Sequence, residues 1–338
     1  MFSPTMSRLR LHDNKGILTA DKPNAALSSS DGARFSRIGQ SRKVCVLLCL
    51  VVVLVFNRTG RSQDLLDLIE NDEPKKEFVK NAFKSTRVIN SHSMEMVGAG
   101  VLDFRIMHRF GRLNGGAYNL YGLDQATIRF GLDYGISDRF TVGLGRSSSK
   151  KELDGFLKYR LIWQSTGEKS IPFSVILIAG STINMLKQDQ VSEQPYYNSH
   201  RFGYYYQAVV GRKFSEKFSA QLTPTFVHRN YVQLSDDPND VYAIGIGSRI
   251  KLTKRIALTQ DFYYVINKSV SENFQNCLSI GFDIETGGHV FQLHFTNALG
   301  MNERAFITET DGSWGKGDIQ FGFNISRVFT IVDNRKNK

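Results

Sequence analysis

A chain of 338 residues, 22% charged and 41% hydrophobic, is long enough for one large domain and too mixed for either intrinsic disorder or a bundle of helical membrane spans. Its formal charge of +11 does not mark a nucleic-acid binder, because residues 1–62 hold 10 Lys/Arg against 3 Asp, and the remaining 33 basic and 29 acidic residues nearly balance. The 24 Phe, 13 Tyr and 29 Gly against 7 Pro favour strands joined by tight turns.

Residues 1–41 are polar, Ser-rich and patternless. Arg42 and Lys43 then precede an unbroken apolar run of 13 residues, Val44 to Phe56. A helix needs about 20 such residues to span a bilayer. The run instead fits the apolar core of a secretory signal, with cleavage expected after Ser62 and a mature start at Gln63. Residues 1–62 are therefore read as a polar leader plus signal peptide. Cys45 and Cys49 leave with it; Cys49 lies inside the run, not after it, which disfavours a lipid anchor. Cys277 remains alone, so neither a disulfide framework nor a cysteine metal cluster is expected, and it reads as a small residue on a strand face.

Residues 63–99 read as a periplasmic N-terminal segment or plug. Leu65, Leu66, Leu68, Ile69, Phe78, Val79 and Phe83 have helical spacing, broken by Asn71 and Pro74, so 64–84 is expected to hold a short helical segment or a piece folded into a barrel mouth. Residues 86–98 are expected to form an extra strand or an inward-folded segment.

From residue 100 to 338 the chain reads as a β-barrel. Leu102, Phe104, Ile106 and Phe110 share one strand face, and Asp103, Arg105, Met107 and Arg109 the other. Ile128, Phe130, Leu132 and Tyr134 oppose Arg129 and Asp133, and Leu157, Tyr159, Leu161 and Trp163 oppose Lys158 and Arg160. About twelve such segments follow, at 101–110, 125–134, 140–147, 154–164, 171–184, 200–213, 218–230, 241–252, 256–267, 276–285, 289–297 and 318–330. Those at 171–184 and 218–230 alternate less cleanly. Short connections such as Ser137-Asp138-Arg139, Ser215-Glu216-Lys217 and Thr286-Gly287-Gly288 alternate with long ones. Transmembrane barrels have short periplasmic turns, long outer loops and an even strand number. A soluble sheet also alternates. The export signal, the loop rhythm and the aromatics near strand ends (Trp163, Tyr204, Tyr206, Tyr264) favour an all-β, antiparallel transmembrane barrel in contact with outer-membrane lipids.

Phe83-Lys84-Ser85-Thr86-Arg87-Val88-Ile89-Asn90, Ser93-Met94-Glu95-Met96, Gly100-Val101-Leu102-Asp103-Phe104-Arg105, His108-Arg109-Phe110-Gly111, Leu123-Asp124-Gln125-Ala126-Thr127 and Leu132-Asp133-Tyr134-Gly135-Ile136 resemble a β-barrel family of unknown function common in the Bacteroidota. The resemblance covers about 80–330 and implies an outer-membrane barrel. It brings no activity or catalytic residues to carry over.

No His-Glu-x-x-His or Gly-x-Ser-x-Gly motif is present, and no enzyme, cofactor or metal site is expected. Gly312-Ser313-Trp314-Gly315-Lys316-Gly317 lacks the spacing and the Ser/Thr of a phosphate loop and reads as a mobile outer loop. Asp103, Arg105, Arg109, Arg129, Asp133, Lys158, Arg160, Arg249 and Asp261 are the expected lumen-lining residues. The opposite faces, rich in Gly, Thr, Arg and Asp, read as a wet lumen. The leading expectation is a channel or transporter for small polar solutes. The alternative is a scaffold barrel that binds a periplasmic or surface partner. A barrel lipid hydrolase built around His108 ranks last, because a lone histidine lacks a nucleophile and an orienting group.

Overall fold

A computed structural model describes residues 75–187, 197–232, 234, 236–269 and 273–332. The leader, the signal and residues 63–74 lie outside the described residues, and so does most of the expected helical segment. The part that is described, 75–84, contains no helix; it holds the two-residue strand β1 (Glu77–Phe78).

The remaining strands are β2 (Val101–Arg112), β3 (Ala126–Ser137), β4 (Phe140–Ser147), β5 (Leu153–Ile162), β6 (Ser165–Thr166), β7 (Ser174–Ile183), β8 (Phe202–Lys213), β9 (Phe218–Arg229), β10 (Asp240–Lys251), β11 (Ile256–Val265), β12 (Leu278–Thr286), β13 (His289–Thr296) and β14 (Gln320–Thr330). Twelve of them close into one antiparallel barrel, each paired with its sequence neighbours, and β14 returns to β2 to shut the seam. Closure leaves no barrel edge with unpaired backbone, which is what lets a sheet sit in lipid. Among the described residues no helix is long and apolar enough to cross a membrane.

Alternation translates directly into inside and outside. On β5, Leu157, Tyr159 and Leu161 are 53%, 43% and 49% exposed, while Lys158 between them is 1% exposed. A pleated strand sends alternate side chains to opposite faces. The apolar set therefore faces outward, as lipid requires, and the charged set faces the interior. Stacked outward rings on β13, β14 and β2 (Phe295, Phe321, Phe323, His108, Phe110) continue this band around the seam.

Short turns gather at one barrel end and long connections at the other, except that 163–173, which carries β6, lies at the short-turn end and the brief 148–152 connection at the long-loop end. β2 starts and β14 finishes at the short-turn end, and β1 pairs with β6 in the connection between β5 and β7 at that end. The 113–125 and 297–319 connections lie at the long-loop end. The second of these holds a short helix, α1 (Glu303–Thr308), capped by the Asn302 side chain, which accepts from Ala305 N at 2.9 Å. The Gly312–Gly317 stretch, expected to be a mobile loop, is pinned by Trp314, whose indole N–H donates to the Leu278 carbonyl at 3.1 Å.

Candidate functional site

All nine residues expected to line the lumen are buried, none more than 5% exposed: Asp103, Arg105, Arg109, Arg129, Asp133, Lys158, Arg160, Arg249 and Asp261. The lumen around them is filled rather than wet. Residues 79–98 enter at the short-turn end, run inward, reverse, and return to Gly98–Gly100 before β2. The reversal is a tight hairpin. Arg87 and His92 bridge, Val88 N donates to Ser91 O at 2.9 Å, and Ser93 N donates to Thr86 O at 2.9 Å. Residues 86–98 are thus an inward-folded segment, not a strand of the barrel.

The wall satisfies the hairpin's backbone, as a segment removed from water demands. Asp261 on β11 accepts from Asn90 N at 3.0 Å, Ser91 N at 2.8 Å and Ser91 Oγ at 3.0 Å. Lys158 Nζ donates to the carbonyls of Ser93 at 2.8 Å and Glu95 at 2.6 Å. Arg160 Nη2 reaches the Met94 carbonyl at 3.2 Å. Arg105 donates to Ser85 Oγ and Thr86 Oγ1 and pairs with Asp103 at 2.6 Å, while Arg109 donates to Asn90 Oδ1 at 2.7 Å. Three amides complete the cradle: Gln221 donates to His92 O at 2.7 Å, Gln292 to Val88 O at 2.7 Å and Asn324 to Ile89 O at 3.0 Å.

α1 fills the lumen from the long-loop end and meets the hairpin. Glu303 Oε1 lies 2.7 Å from Arg87 Nη1 and 3.2 Å from His92 Nε2, and all three side chains are at most 1% exposed. Burial works against the Arg87 charge, but Glu303, with smaller contributions from Tyr205 and Asp133, more than offsets it and the guanidinium stays ionised. Burial first, and then the nearby Arg87, Lys158, Arg129 and Arg105, hold the His92 pKa well below its usual value. The ring is therefore neutral, with Nε2 3.3 Å from Arg87 Nη2. The short approach to Glu303 does not charge it, because Arg87 already supplies that carboxylate with its counter-ion. On its far side α1 is tied to the connection between β4 and β5 by Arg304, which pairs with Glu152, and by its C-cap Glu309, which pairs with Lys150 at 2.8 Å.

The wall has two characters. The inward faces of β7 to β11 carry Ile176, Ile178, Tyr205, Val209, Val227 and Tyr263, which form one apolar cluster with Phe83, Val88 and Met94 of the hairpin and Phe306 of α1. This corrects the expectation of a wet lumen all round: one stretch of the interior is dry packing. The β2–β5 side carries ions. Arg129 forms a two-bond pair with Asp154, its Nε donating to Oδ1 at 2.8 Å. Glycines make room for that guanidinium, since a Cβ on Gly145 would overlap Arg129 Nη2 and Cζ, and one on Gly131 would come within 3.0 Å of Nη1. Gly145→Ala is expected to displace Arg129 and cost about 1–3 kcal/mol by overpacking. The check is the urea midpoint of the folded barrel in detergent; an unchanged midpoint would show that Arg129 has space to spare.

Sequence reasoning missed Arg87, His92, Glu303, Asp154 and the three cradle amides. Asp154 shares a strand face with Lys158 and Arg160 and could have been read with them; Glu303 sits in a long connection whose inward course leaves no periodic signal. His108 lies on the outward face, its ring stacked on Phe323 at 4.8 Å between centroids, in lipid-facing surroundings. Cys277 precedes β12 instead of lying on a strand face, and packs against the hairpin, with Asn90 Nδ2 at 3.6 Å. Among the described residues no group of three or more His, Cys, Asp or Glu could hold a metal ion.

Residues 83–329 match the model of a family described as a membrane bound beta barrel domain (DUF5777). No curated protein matches the sequence. Among solved structures the chain is similar to the NanC porin, at 10% identity over 68% of this chain and 100% of that one, with a TM-score of 0.43. It is similar to the KdgM porin at 7% identity over 68% and 99%, with a TM-score of 0.41, and to Omp33 of Acinetobacter baumannii at 9% identity over 68% and 97%, with a TM-score of 0.37.

Proposed function

The chain belongs to this membrane-bound β-barrel family, and from that premise we propose that it is an outer-membrane passage for small polar solutes, closed by the hairpin and α1 in the state described. Outer-membrane placement is supported by the export signal expected from the sequence and by connections that, apart from 148–152 and 163–173, alternate between short turns and long loops. The proposal assigns no catalysis and no cofactor.

One observation carries the reading. Apart from the apolar cluster, what holds the hairpin is a set of hydrogen bonds between its own groups and side chains spread around the wall, Asp261 accepting and Lys158, Arg105, Arg109, Gln221, Gln292 and Asn324 donating. Water can replace each of those bonds at little net cost. Withdrawal toward the short-turn end would leave a charged, hydrated wall, and charged rings of this kind set the selectivity of pores.

A scaffold barrel is the second reading, favoured by the filling of the lumen from both ends. Heat-modifiability on a gel followed by planar-bilayer recording in KCl separates the two. A closed sheet migrates faster unheated than boiled. Intermittent conducting events from that species support a passage; a folded barrel that never conducts, even when the contact between hairpin and α1 is broken, supports the scaffold.

Acidification should open the passage. In the docked hairpin His92 resists protonation, whereas a released, hydrated His92 titrates near its ordinary value of about 6.5. Below that value the released state binds a proton that the docked state does not, so falling pH favours release. Between pH 7 and 5.5 the open fraction should rise about eightfold. His92→Gln should flatten this response; an unaltered pH profile in that variant would exclude His92 as its source.

A further inference from the structure

The passage proposed above has a two-faced interior, and the hairpin shows what such an interior accepts. On β5, Lys158 and Arg160 face inward, and their partners in register on β7 are Ile178 and Ile176. A cationic stripe therefore borders directly on the apolar wall that continues through Tyr205, Val209 and Val227. Among the described residues, neither Lys158 nor Arg160 has a carboxylate at ion-pair distance. Arg105, Arg129 and Arg87 each have one.

These two cations, which like Arg109 and Arg249 have no ion-pair partner among the described residues, are met by neutral oxygens of the hairpin and, for Arg160, by the Trp163 ring, 4.0 Å from Cζ to the centroid. Lys158 Nζ donates to the Ser93 and Glu95 carbonyls, and Arg160 Nη2 to the Met94 carbonyl, while Arg160 Nε has no partner. The Met94 side chain packs in the apolar cluster with Ile176 and Val209. Three consecutive residues thus place oxygens on two cations and a long apolar side chain on the adjoining wall. Asp261, across the lumen on β11, repels an anionic group from the opposite side.

We propose that the solute class is the amphipathic organic anion, with its charged head on Lys158 and Arg160 and its apolar tail along β7 to β9, where residues 93–95 of the hairpin now lie. A carboxylate or sulfonate would add full charge–charge attraction to bonds in which only the donor is now ionised, and a planar carboxylate can accept two parallel bonds from the guanidinium. The apolar tail would restore the packing that Met94 gives up on leaving. This deepens the function proposed above and rests on it.

The test uses full-length protein in liposomes, in the Glu303→Gln background that frees the hairpin. The probes are naphthalene-2-sulfonate, gluconate and a naphthylmethyl trimethylammonium cation, none of which crosses lipid readily, with KCl conductance recorded in parallel. The sulfonate is expected to enter about tenfold faster than either other probe, the value of one charge-assisted hydrogen bond. Lys158→Gln should abolish that preference, read as the ratio of sulfonate to gluconate entry within the same liposomes and therefore independent of any change in how often the barrel conducts, with Arg160→Gln as the second variant should the first fail the gel-shift test of folding. Equal entry of sulfonate and gluconate through a conducting barrel would overturn the inference and leave the passage standing. Absence of any conductance would overturn the passage, and the inference with it.

Discussion

In Glu303→Gln the open fraction of the reconstituted barrel rises by about 10²- to 10³-fold. The docked hairpin would keep Arg87 buried at 1% exposure with its carboxylate gone. A buried charge that loses its partner costs about 3–5 kcal/mol, and each 1.4 kcal/mol is about a factor of ten. The released hairpin hydrates Arg87 and escapes that cost, so the whole penalty falls on the closed state. Glutamine preserves volume, and the packing of α1 is otherwise kept. Arg87→Gln combined with Glu303→Gln should restore much of the closure, because no lone charge remains. Planar-bilayer recordings in KCl read both. A folded Glu303→Gln barrel that stays as quiet as the parent would locate the closure elsewhere than at this ion pair.

Asp154→Ala attacks the wall instead of the plug. Arg129 and Asp154 are buried on neighbouring inward faces and share two hydrogen bonds, and Arg129 lies over glycines that offer no alternative acceptor. Removing the carboxylate should cost about 3–5 kcal/mol. Urea unfolding followed by fluorescence of Trp163 and Trp314 should show a lower midpoint with an unchanged slope, since the surface exposed on unfolding is the same. A midpoint within error of the parent would mean that water reaches Arg129 and that this part of the lumen is not dry. Asp154→Asn, which keeps one acceptor, should fall between.

The barrel was legible in the sequence because lipid outside and charge inside force a period of two. Leu157, Tyr159 and Leu161 against Lys158 and Arg160 is that rule in one strand. One of the two segments that alternate poorly does so for a physical reason. On β7, Val175, Ile176, Leu177 and Ile178 are apolar on both faces, the outer set for lipid and the inner set for the cluster beneath the hairpin. A strand buried on both sides loses its alternation. The nine lumen-facing charges were readable by parity alone, but their partners were not. Glu303 reaches Arg87 across 216 residues of sequence, and Gln292 and Asn324 hold backbone oxygens that no side-chain pattern records. The hairpin itself has no alternation to read, because its residues divide between an apolar wall and an ionic one instead of between water and core.

Both legs of the hairpin leave the barrel at the same end, with the Arg87–His92 bridge at the turn and Gly98–Gly100 leading straight into β2. A single segment crossing the lumen could be cleared only by drawing a chain terminus through a closed ring. A doubled-back segment needs no such threading: it can move as a plunger, in and out, with the sheet intact and no strand pairing broken. The same geometry governs biogenesis. The seam joins the last strand, β14, to the first of the barrel, β2, and a plunger can enter before or after that seam shuts, so the geometry lets assembly of the wall and filling of its bore occur in either order.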